Sequence, residues 1–483
     1  MTILLRGGHV IPRLDPAQVL PATDILVEDH RIAAVGPALD AAPGAAVVDC
    51  RGCLVIPGNV DAHTHAYSAL ARGMPYDLAP PRGFIEILRR VWWRLDQALD
   101  EPAIRASARV AGMEALLAGT TTLIDHHASP SAIDGSLDIL ADELGGLGIR
   151  SILAYEVTDR DGPARALAGV EENRRFLARA ASGAEPLARG LVGAHASFTL
   201  SDATLAACVD LARSTGRGLH VHVAEDAADE REAVEAYGLR VLERLARAGA
   251  LEPAPVLAHG VHLDPAEAAL FRASEATLVH NPRSNMNNAV GRAPLGLLGR
   301  RVALGTDGIG ADMFEESRAG YFRHLEERAD RASRDTTNRG SSDGSAGGDG
   351  RAALVRPGSA GSTDAGWPLA RLAAGARLVA EAFAEPALGR LEPGAPADLA
   401  VLDYPMPVPL TAETLAGHWI FGLSARAVRD VVVDGRLVVR DRRLTAVDQD
   451  ELAAEARAAA VVLWERLARI GEHPFAPGRI PVG

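Results

Sequence analysis

The sequence predicts an α/β protein: an eight-stranded (β/α)8 barrel of the TIM type, with a small β-sandwich domain built from both chain ends. Three observations lead to this prediction. Apolar strand-like runs alternate with helical stretches rich in Ala, Leu, Arg and Glu, eight such units follow one another, and short period-two strands occur near both ends. Repeated strand-then-helix units favour a parallel sheet, and eight of them favour a closed barrel.

The two chain ends carry matching sets of short strands. Apolar runs bounded by Gly, Pro and Asp fill the first 56 residues, and similar runs occupy 398–403 and 428–439. The last helical stretch has an apolar stripe that favours packing on the barrel or in a homodimer. We therefore predict a β-sandwich domain from 1–56 and 391–445, a barrel over 57–390 and a C-terminal helical extension over 446–483.

The eight candidate barrel strands are apolar runs, most of which end beside a polar residue. They comprise residues 60–65, 120–125, 150–156, 190–195, 218–223, 255–259, 277–280 and 301–307. Chemistry in such barrels gathers at the C-terminal strand ends. The residues near those ends that can carry chemistry are His65, His195, His222, His259, His280 and Asp307.

A Gly- and Ser-rich segment at 335–364 interrupts the pattern after the last barrel strand. It has too little apolar surface to offset the entropy lost on ordering. We predict a flexible insertion, which acts either as a passive loop or as a lid over the barrel mouth.

Composition excludes several classes of function. The net charge of -13 leaves no basic excess to bind nucleic acid or an anionic membrane. No apolar run approaches the length of a membrane span or of a signal peptide, so we expect a cytoplasmic enzyme. All 50 basic residues are Arg, which excludes mechanisms that need a lysine Schiff base, a P-loop lysine or a carbamylated lysine.

Four side chains at the predicted strand ends form a candidate metal site. His63 and His65 project from one strand face, because residues two apart point the same way. His220 and His222 repeat this spacing, and we prefer His222 because it lies nearer the C-terminal rim. With Asp307 these residues give a His₃Asp set that leaves room for water, as catalytic metal sites do. The alternative is buried histidines with satisfied hydrogen bonds.

Several motifs together resemble the amidohydrolase superfamily, in its chlorohydrolase and aminohydrolase branch that includes cytosine, guanine and adenosine-type deaminases. They are PGNVDAHTH at 57–65, HVAE at 222–225, AHG at 258–260, NPRSN at 281–285 and GTDG at 305–308. A closer resemblance is to the aminohydrolases called SsnA. It rests on DHHASP at 125–130, YEVTDRDG at 155–162 and NMNNAVG at 285–291.

The resemblance implies one divalent metal ion, zinc or alternatively iron, held by His63, His65, His222 and Asp307. Such an ion lowers the pKa of its bound water toward neutrality. Asp307 is then expected to accept a proton from the attacking water.

Further roles follow from the same resemblance and from position. Glu225, just past its strand, is expected to protonate a ring nitrogen or the leaving amine, and His259 to stabilise the developing tetrahedral centre. His195 matches a histidine that contacts substrate in this branch. Glu156 and Arg160 follow the third strand and are expected to contact a polar heterocycle. Of His126 and His127, alternation directs at most one into the barrel mouth.

The sequence thus predicts a metal-dependent hydrolase of a non-peptide C–N bond, which deaminates a small nitrogen heterocycle through a metal-activated water. Cyclic-amide ring opening and dechlorination use the same chemistry and are the first alternatives. A non-catalytic metal-binding scaffold is the alternative from another class.

Overall fold

Three sheets organise the chain in the computed structural model, which describes residues 2–41, 43–340 and 366–477. The strands are β1 (Thr2–Val10), β2 (Leu20–Glu28), β3 (Arg31–Gly36), β4 (Ala46–Asp49), β5 (Leu54–Pro57), β6 (Asn59–Thr64), β7 (Thr120–His127), β8 (Arg150–Tyr155), β9 (Ala188–Gly190), β10 (Val192–Ala196), β11 (Leu219–Val223), β12 (Val256–His259), β13 (Thr277–His280), β14 (Val302–Leu304), β15 (Leu399–Leu402), β16 (Val428–Val433), β17 (Arg436–Arg440) and β18 (Arg443–Leu444).

Strands from the two chain ends pair in one nine-stranded sheet, as the sequence predicts. Its order is β18-β17-β16-β15-β5-β1-β2-β3, and β4 pairs with β1. The two ends meet where β5 runs antiparallel to β15, with Leu54 opposite Leu402. A separate apolar core lies against this sheet and includes Ile3, Ile25 and Val432.

The middle of the chain forms two parallel sheets, ordered β6-β7-β8-β9 and β10-β11-β12-β13-β14. Backbone hydrogen bonds link one sheet to the other at two places. The N–H of Asp307 donates to the carbonyl oxygen of His63 over 2.9 Å, and the N–H of His195 donates to that of Val157 over 2.9 Å. The molecule is therefore α/β with parallel sheets, and the carboxyl ends of the parallel strands lie together.

Helices follow most of the parallel strands. They are α1 (Phe84–Ile87), α2 (Trp93–Ala98), α3 (Glu101–Leu117), α4 (Ser136–Leu147), α5 (Pro163–Ala181), α6 (Asp202–Thr215), α7 (Ala227–Tyr237), α8 (Val241–Ala248), α9 (Pro265–Ala273), α10 (Pro282–Asn287), α11 (Leu295–Leu298), α12 (Met313–Gly340), α13 (Trp367–Phe383), α14 (Leu415–Phe421) and α15 (Gln449–Leu467). No described helix is long and apolar enough to cross a membrane.

Local sequence explains several helix starts. The Asp100 carboxylate caps α3 by accepting a hydrogen bond from the N–H of Ala103 over 3.0 Å. Ser201 caps α6 in the same way through Thr204. An N-cap of this kind stabilises a helix by about 1 kcal/mol relative to alanine. These short signals mark where α3 and α6 begin.

The predicted strands are confirmed, with two differences. The run at 190–195 is divided between β9 and β10, with Leu191 between them. The run at 301–307 contains only a short strand, because Asp307 takes a φ of 55°, outside the β region.

The structure describes only part of the predicted insertion at 335–364, whereas it describes the whole predicted final helix. Residues 335–340 form the end of α12, whereas the remainder of the predicted insertion, 341–364, lies outside the described residues. The predicted final helix is α15, whose Val461 and Val462 are exposed. The homodimer stays a prediction.

Candidate metal centre and its pocket

Three histidines and an aspartate meet at the carboxyl ends of the parallel strands. His63 lies in β6 and His65 directly after it, His222 lies in β11, and Asp307 lies in the turn after β14. The Nε2 atoms of His65 and His222 are 3.2 Å apart. Asp307 Oδ1 lies 3.1 Å from His65 Nε2 and 3.6 Å from His63 Nε2. The structure therefore brings the four predicted ligands together.

The other ring nitrogen of each histidine is held by the protein. Nδ1 of His65 lies 2.6 Å from the carbonyl oxygen of His126, and Nδ1 of His222 lies 2.8 Å from that of His195. Both must therefore donate from Nδ1, which leaves the lone pair on Nε2. Nδ1 of His63 is 2.8 Å from Nε2 of His220. This second layer of contacts is the usual way in which proteins orient metal-binding histidines.

The donor set fits a divalent cation. His63 Nε2 is buried and has no hydrogen-bond partner among the described residues. Ligand atoms of His63, His222, His259 and Asp307 lie within 4.8 Å of one another, and those of His63, His65, His126 and His222 do as well. Imidazole nitrogens with one carboxylate suit zinc or iron.

Electrostatics keeps three of these four groups, His63, His222 and Asp307, in the forms that bind metals. Burial lowers the pKa of His63 to about 3 and that of His222 well below its usual value, so both are neutral. Burial opposes ionisation of Asp307, but its contacts with His63 and His65 hold its pKa well below the ordinary range. The same carboxylate outweighs burial at His65 and raises its pKa to about 9. A metal cation between His65 and Asp307 would take the place of the proton on His65.

Backbone strain marks two of the strand ends. His259 has a φ of 76° and Asp307 a φ of 55°, backbone angles that residues other than Gly rarely adopt. Such conformations cost about 1–3 kcal/mol and cluster at functional sites. Gly305 allows the close approach of β14 to β6, because a Cβ there would lie 2.8 Å from the backbone N of His63.

An acid and a histidine lie beside the four ligands. Glu225 Oε2 is 3.5 Å from His259 Nε2, and Asn288 donates to Glu225 Oε1 over 3.4 Å. Burial raises the pKa of Glu225 to about 7, with Asp307 acting in the same direction and His259 against it. Glu225 is therefore a candidate proton donor near neutral pH.

The NPRSN motif supplies the supports of this arrangement. Asn285 Oδ1 lies 2.9 Å from Nδ1 of His259, and the Asn281 side chain is 3.3 Å from the same nitrogen. Ser284 Oγ donates to Asp307 Oδ2. A single short segment thus orients both His259 and Asp307.

These groups open into a pocket of about 620 Å³. Its apolar wall consists of Phe84, Leu88, Trp92, Trp93 and Ile309. Its polar lining consists of His65, Tyr67, Ser68, Asp96, Glu156, His195, His222, Glu225, Ser284, Asn287, Asn288 and Asp307. The pocket therefore offers a bound molecule both apolar surface and carboxylate and imidazole groups.

Of the three predicted substrate contacts, two line the pocket and one does not. Glu156 and His195 line the pocket, and His195 Nε2 lies 3.8 Å from Glu156 Oε1. Arg160 does not line it; its Nη1 donates to Glu156 Oε1 over 2.8 Å. Of the adjacent pair, His126 stacks on His220 at 4.5 Å between ring centroids, whereas His127 lies 3.0 Å from Ser129 Oγ.

The sequence does not single out Asp96, Ser284 or Asn288 as pocket residues. Ser284 belongs to the NPRSN motif and Asn288 to the NMNNAVG motif, so the two motifs could have indicated these pocket residues. Asp96 lies on α2 rather than at a strand end, and no local pattern marks it.

Comparisons with known proteins match most of the chain. A family model described as "Amidohydrolase family" matches residues 54–438. The 5-methylthioadenosine/S-adenosylhomocysteine deaminase of Pelotomaculum thermopropionicum is 28% identical over 475 residues, which cover 96% of this chain and 99% of the relative. The 5'-deoxyadenosine deaminase of Methanosarcina mazei is 26% identical over 472 residues, with coverage of 96% and 99%.

A solved structure is similar over nearly the whole chain. It is an adenosine deaminase from Xanthomonas campestris with bound zinc, and it is 26% identical with a TM-score of 0.77. The match covers 97% of this chain and 99% of that protein.

Proposed function

Because this chain belongs to the amidohydrolase family and is a metal-dependent hydrolase of carbon–nitrogen bonds, we propose that it deaminates a purine of the adenosine type. The observation that carries the proposal is the convergence of three histidine Nε2 atoms and the Asp307 carboxylate beside Glu225 in one pocket. In the net reaction water replaces the amino group, and the products are an oxo-heterocycle and ammonia.

We assign the metal ion to His63, His65, His222 and Asp307, with zinc as the native ion and iron as the alternative. The zinc bound to the Xanthomonas campestris deaminase supports this choice. When bound, such an ion supplies Lewis-acid activation of a water molecule near neutral pH.

The remaining steps belong to side chains of this protein. Asp307 accepts a proton from the attacking water, and Ser284 holds its second oxygen in place. Glu225 donates its proton to a ring nitrogen. The proton that Asp307 took from the water then passes to the leaving amine, and the hydroxyl proton of the tetrahedral centre returns to Glu225 as the C=O bond forms. His259, held at Nδ1 by the side chains of Asn281 and Asn285, stabilises the developing tetrahedral centre through Nε2.

His195 and Glu156 are assigned to substrate binding, because both line the pocket. Arg160 holds Glu156 in position through their 2.8 Å hydrogen bond. The apolar wall formed by Phe84, Leu88, Trp92, Trp93 and Ile309 covers the flat face of the heterocycle and excludes water from it.

We also propose that the two parallel sheets close into one eight-stranded barrel over 57–390, in which β9 and β10 count as one strand. Hydrogen bonds between the sheets at His63–Asp307 and at Val157–His195 support closure. The nine-stranded sheet from 1–56 and 391–445 would form the small β-sandwich domain, and 446–483 the helical extension.

The test is turnover by the zinc-loaded full chain. The substrates are 5'-deoxyadenosine, 5-methylthioadenosine, guanine, dihydrouracil as a cyclic amide and a chlorinated triazine, with ammonia assay and mass spectrometry of each product. Ammonia release from a purine, with oxygen in place of the amino group, supports the proposal. Ring opening or chloride release without ammonia would favour the alternative reactions. Full metal loading without turnover of any compound would favour a scaffold.

A further inference from the structure

A pair of carboxylates, Asp96 and Glu156, forms an acidic wall in the pocket. Both side chains line the pocket, yet they are only 1% and 3% exposed. Asp96 lies on α2 and Glu156 directly after β8, so two distant parts of the chain supply this wall. None of the proposed chemical steps uses Asp96.

The only cation in contact with the acidic wall, within the described part of the chain, is Arg160. Its Nη2 donates to Asp96 Oδ2 over 2.6 Å and its Nη1 to Glu156 Oε1 over 2.8 Å. Its Nε faces a third carboxylate, Asp161, at 3.6 Å, and its guanidinium lies 5.3 Å from the centroid of the Trp93 ring. Both terminal nitrogens of Arg160 therefore donate to carboxylates, and its positive charge is not available to an anionic ligand.

One guanidinium thus faces three carboxylates, of which only Asp96 and Glu156 line the pocket. Asp161, outside the pocket lining, accepts a hydrogen bond from Gln97 over 3.1 Å and lies 3.3 Å from Nε2 of His473, in both cases through Oδ1, whereas its Oδ2 has no hydrogen-bond partner among the described residues. Asp96 Oδ1 is buried and has no hydrogen-bond partner among the described residues. A buried acceptor of this kind needs a donor, and a ligand in the pocket can supply one.

We propose that Asp96, together with Glu156, binds an amine or another cationic N–H group of the substrate. Among the purines of the proposed function, the subsite then favours those that carry a cationic or other N–H donor besides the amino group that is lost. Heterocycles with a carboxylate or phosphate are disfavoured. As a substrate assignment this rests on the proposed deamination, whereas the cation subsite is testable by itself.

One further observation supports a cation at this place. Trp93 lies beside the acidic wall, and aromatic faces favour cations. Burial, with help from Glu156 and Asp161, raises the pKa of Asp96 to about 8 against the effect of Arg160. An additional cation would keep Asp96 ionised.

The experiment compares two probes of nearly equal shape, benzamidinium and benzamide, by isothermal titration calorimetry on the zinc-loaded full chain. Benzamidinium offers the aromatic face and the cationic N–H groups that the pocket would bind. We expect it to bind at least about tenfold tighter than benzamide, since charge-assisted hydrogen bonds are markedly stronger than neutral ones. Equal affinities, or no binding of benzamidinium, would overturn the proposal.

Two variants distinguish direct contact between Asp96 and the bound cation from a long-range effect of negative charge. Asp96→Asn keeps the shape and removes the charge, and we expect it to abolish the preference for benzamidinium. Asp161→Asn removes a charge beside the same guanidinium but outside the pocket lining, and we expect it to keep the preference. Loss of the preference for benzamidinium in both variants, or in neither, contradicts direct binding by Asp96. Should Asp96→Asn not fold, Glu156→Gln takes its place with the same expected loss.

Ammonia release from 5'-deoxyadenosine, measured on the same samples, distinguishes the two proposals. Deamination without a preference for benzamidinium would overturn the cation subsite alone. A preference without deamination of any purine would overturn the proposed reaction and leave the subsite.

Discussion

Nδ1 of His63 lies 2.8 Å from Nε2 of His220, two residues before the proposed ligand His222 on the same strand. One strand thus supplies a proposed ligand and also the group that orients another. The His220 ring stacks on His126 and is completely buried, so its position is fixed. This contact sets which nitrogen of His63 is left for the metal.

Replacement of His220 should therefore weaken the metal site. We expect His220→Ala to lower zinc affinity by about 10- to 100-fold, since second-layer partners of metal-binding histidines have effects of this size. Competition with a chromophoric chelator measures the affinity. His418→Ala removes a buried histidine that contacts Tyr404 instead, and it should bind zinc like the parent. Equal affinity in the two variants would rule out the orienting role of His220.

Gly305 should be indispensable for the approach of β14 to β6. In Gly305→Ala the new Cβ would lie 2.8 Å from the backbone N of His63 and 2.7 Å from Asn281 Oδ1. We expect a loss of about 1–3 kcal/mol in the free energy of unfolding, together with loss of bound metal. Urea denaturation measures the former and plasma emission the latter.

The matched control for Gly305 is Gly145 in α4, where a Cβ would meet nothing within 4 Å. Gly145→Ala should be neutral or more stable by about 0.5–1 kcal/mol. Parent-like stability and metal content in Gly305→Ala would show that the two strands tolerate a wider separation.

The pH dependence of turnover should report on Glu225. Burial raises its pKa from the model-compound value of 4.5 to about 7, so the acid form that donates a proton predominates below pH 7. We expect kcat/KM to fall as pH rises through about 7. Glu225→Gln should lose about 10²- to 10⁴-fold in kcat and also this alkaline limb. Survival of the limb in the variant would assign it to another group.

A buried ion pair should hold the parallel sheets to the nine-stranded sheet. Arg150, at the start of β8, donates to Asp398 Oδ2 and to Asp434 Oδ1, in each case over 2.6 Å. Arg150→Met leaves Asp398 buried without its partner, and we expect a loss of about 3–5 kcal/mol. Arg51→Met breaks an exposed pair with Asp49 and should cost no more than about 1 kcal/mol. Similar losses in urea denaturation of the two variants would contradict this account.

The parts of the fold that the sequence predicts are those with a strong local signal. Period-two alternation places His63 beside His65, and barrel chemistry at strand ends places His222 and Asp307 with them. The pairing of the two chain ends also follows from their matching strand patterns.

Other parts of the site depend on contacts that no local pattern reveals. The carbonyl oxygens of His126 and His195 orient two ligands, but a backbone carbonyl is present at every residue and carries no sequence signal. Arg160 stands after a strand like the other site residues, and only its three carboxylate neighbours explain why it is not at the pocket surface. Asp96 reaches the pocket from a helix, so its role follows from the structure alone.

The most direct test of the central claim is metal content by plasma emission on the purified protein, beside His63→Ala and Asp307→Asn, with circular dichroism to show that both variants fold. The proposed site predicts about one zinc or iron ion per chain, lost in both folded variants. No metal in the parent, or unchanged metal in the variants, would contradict the assignment of His63, His65, His222 and Asp307 as ligands.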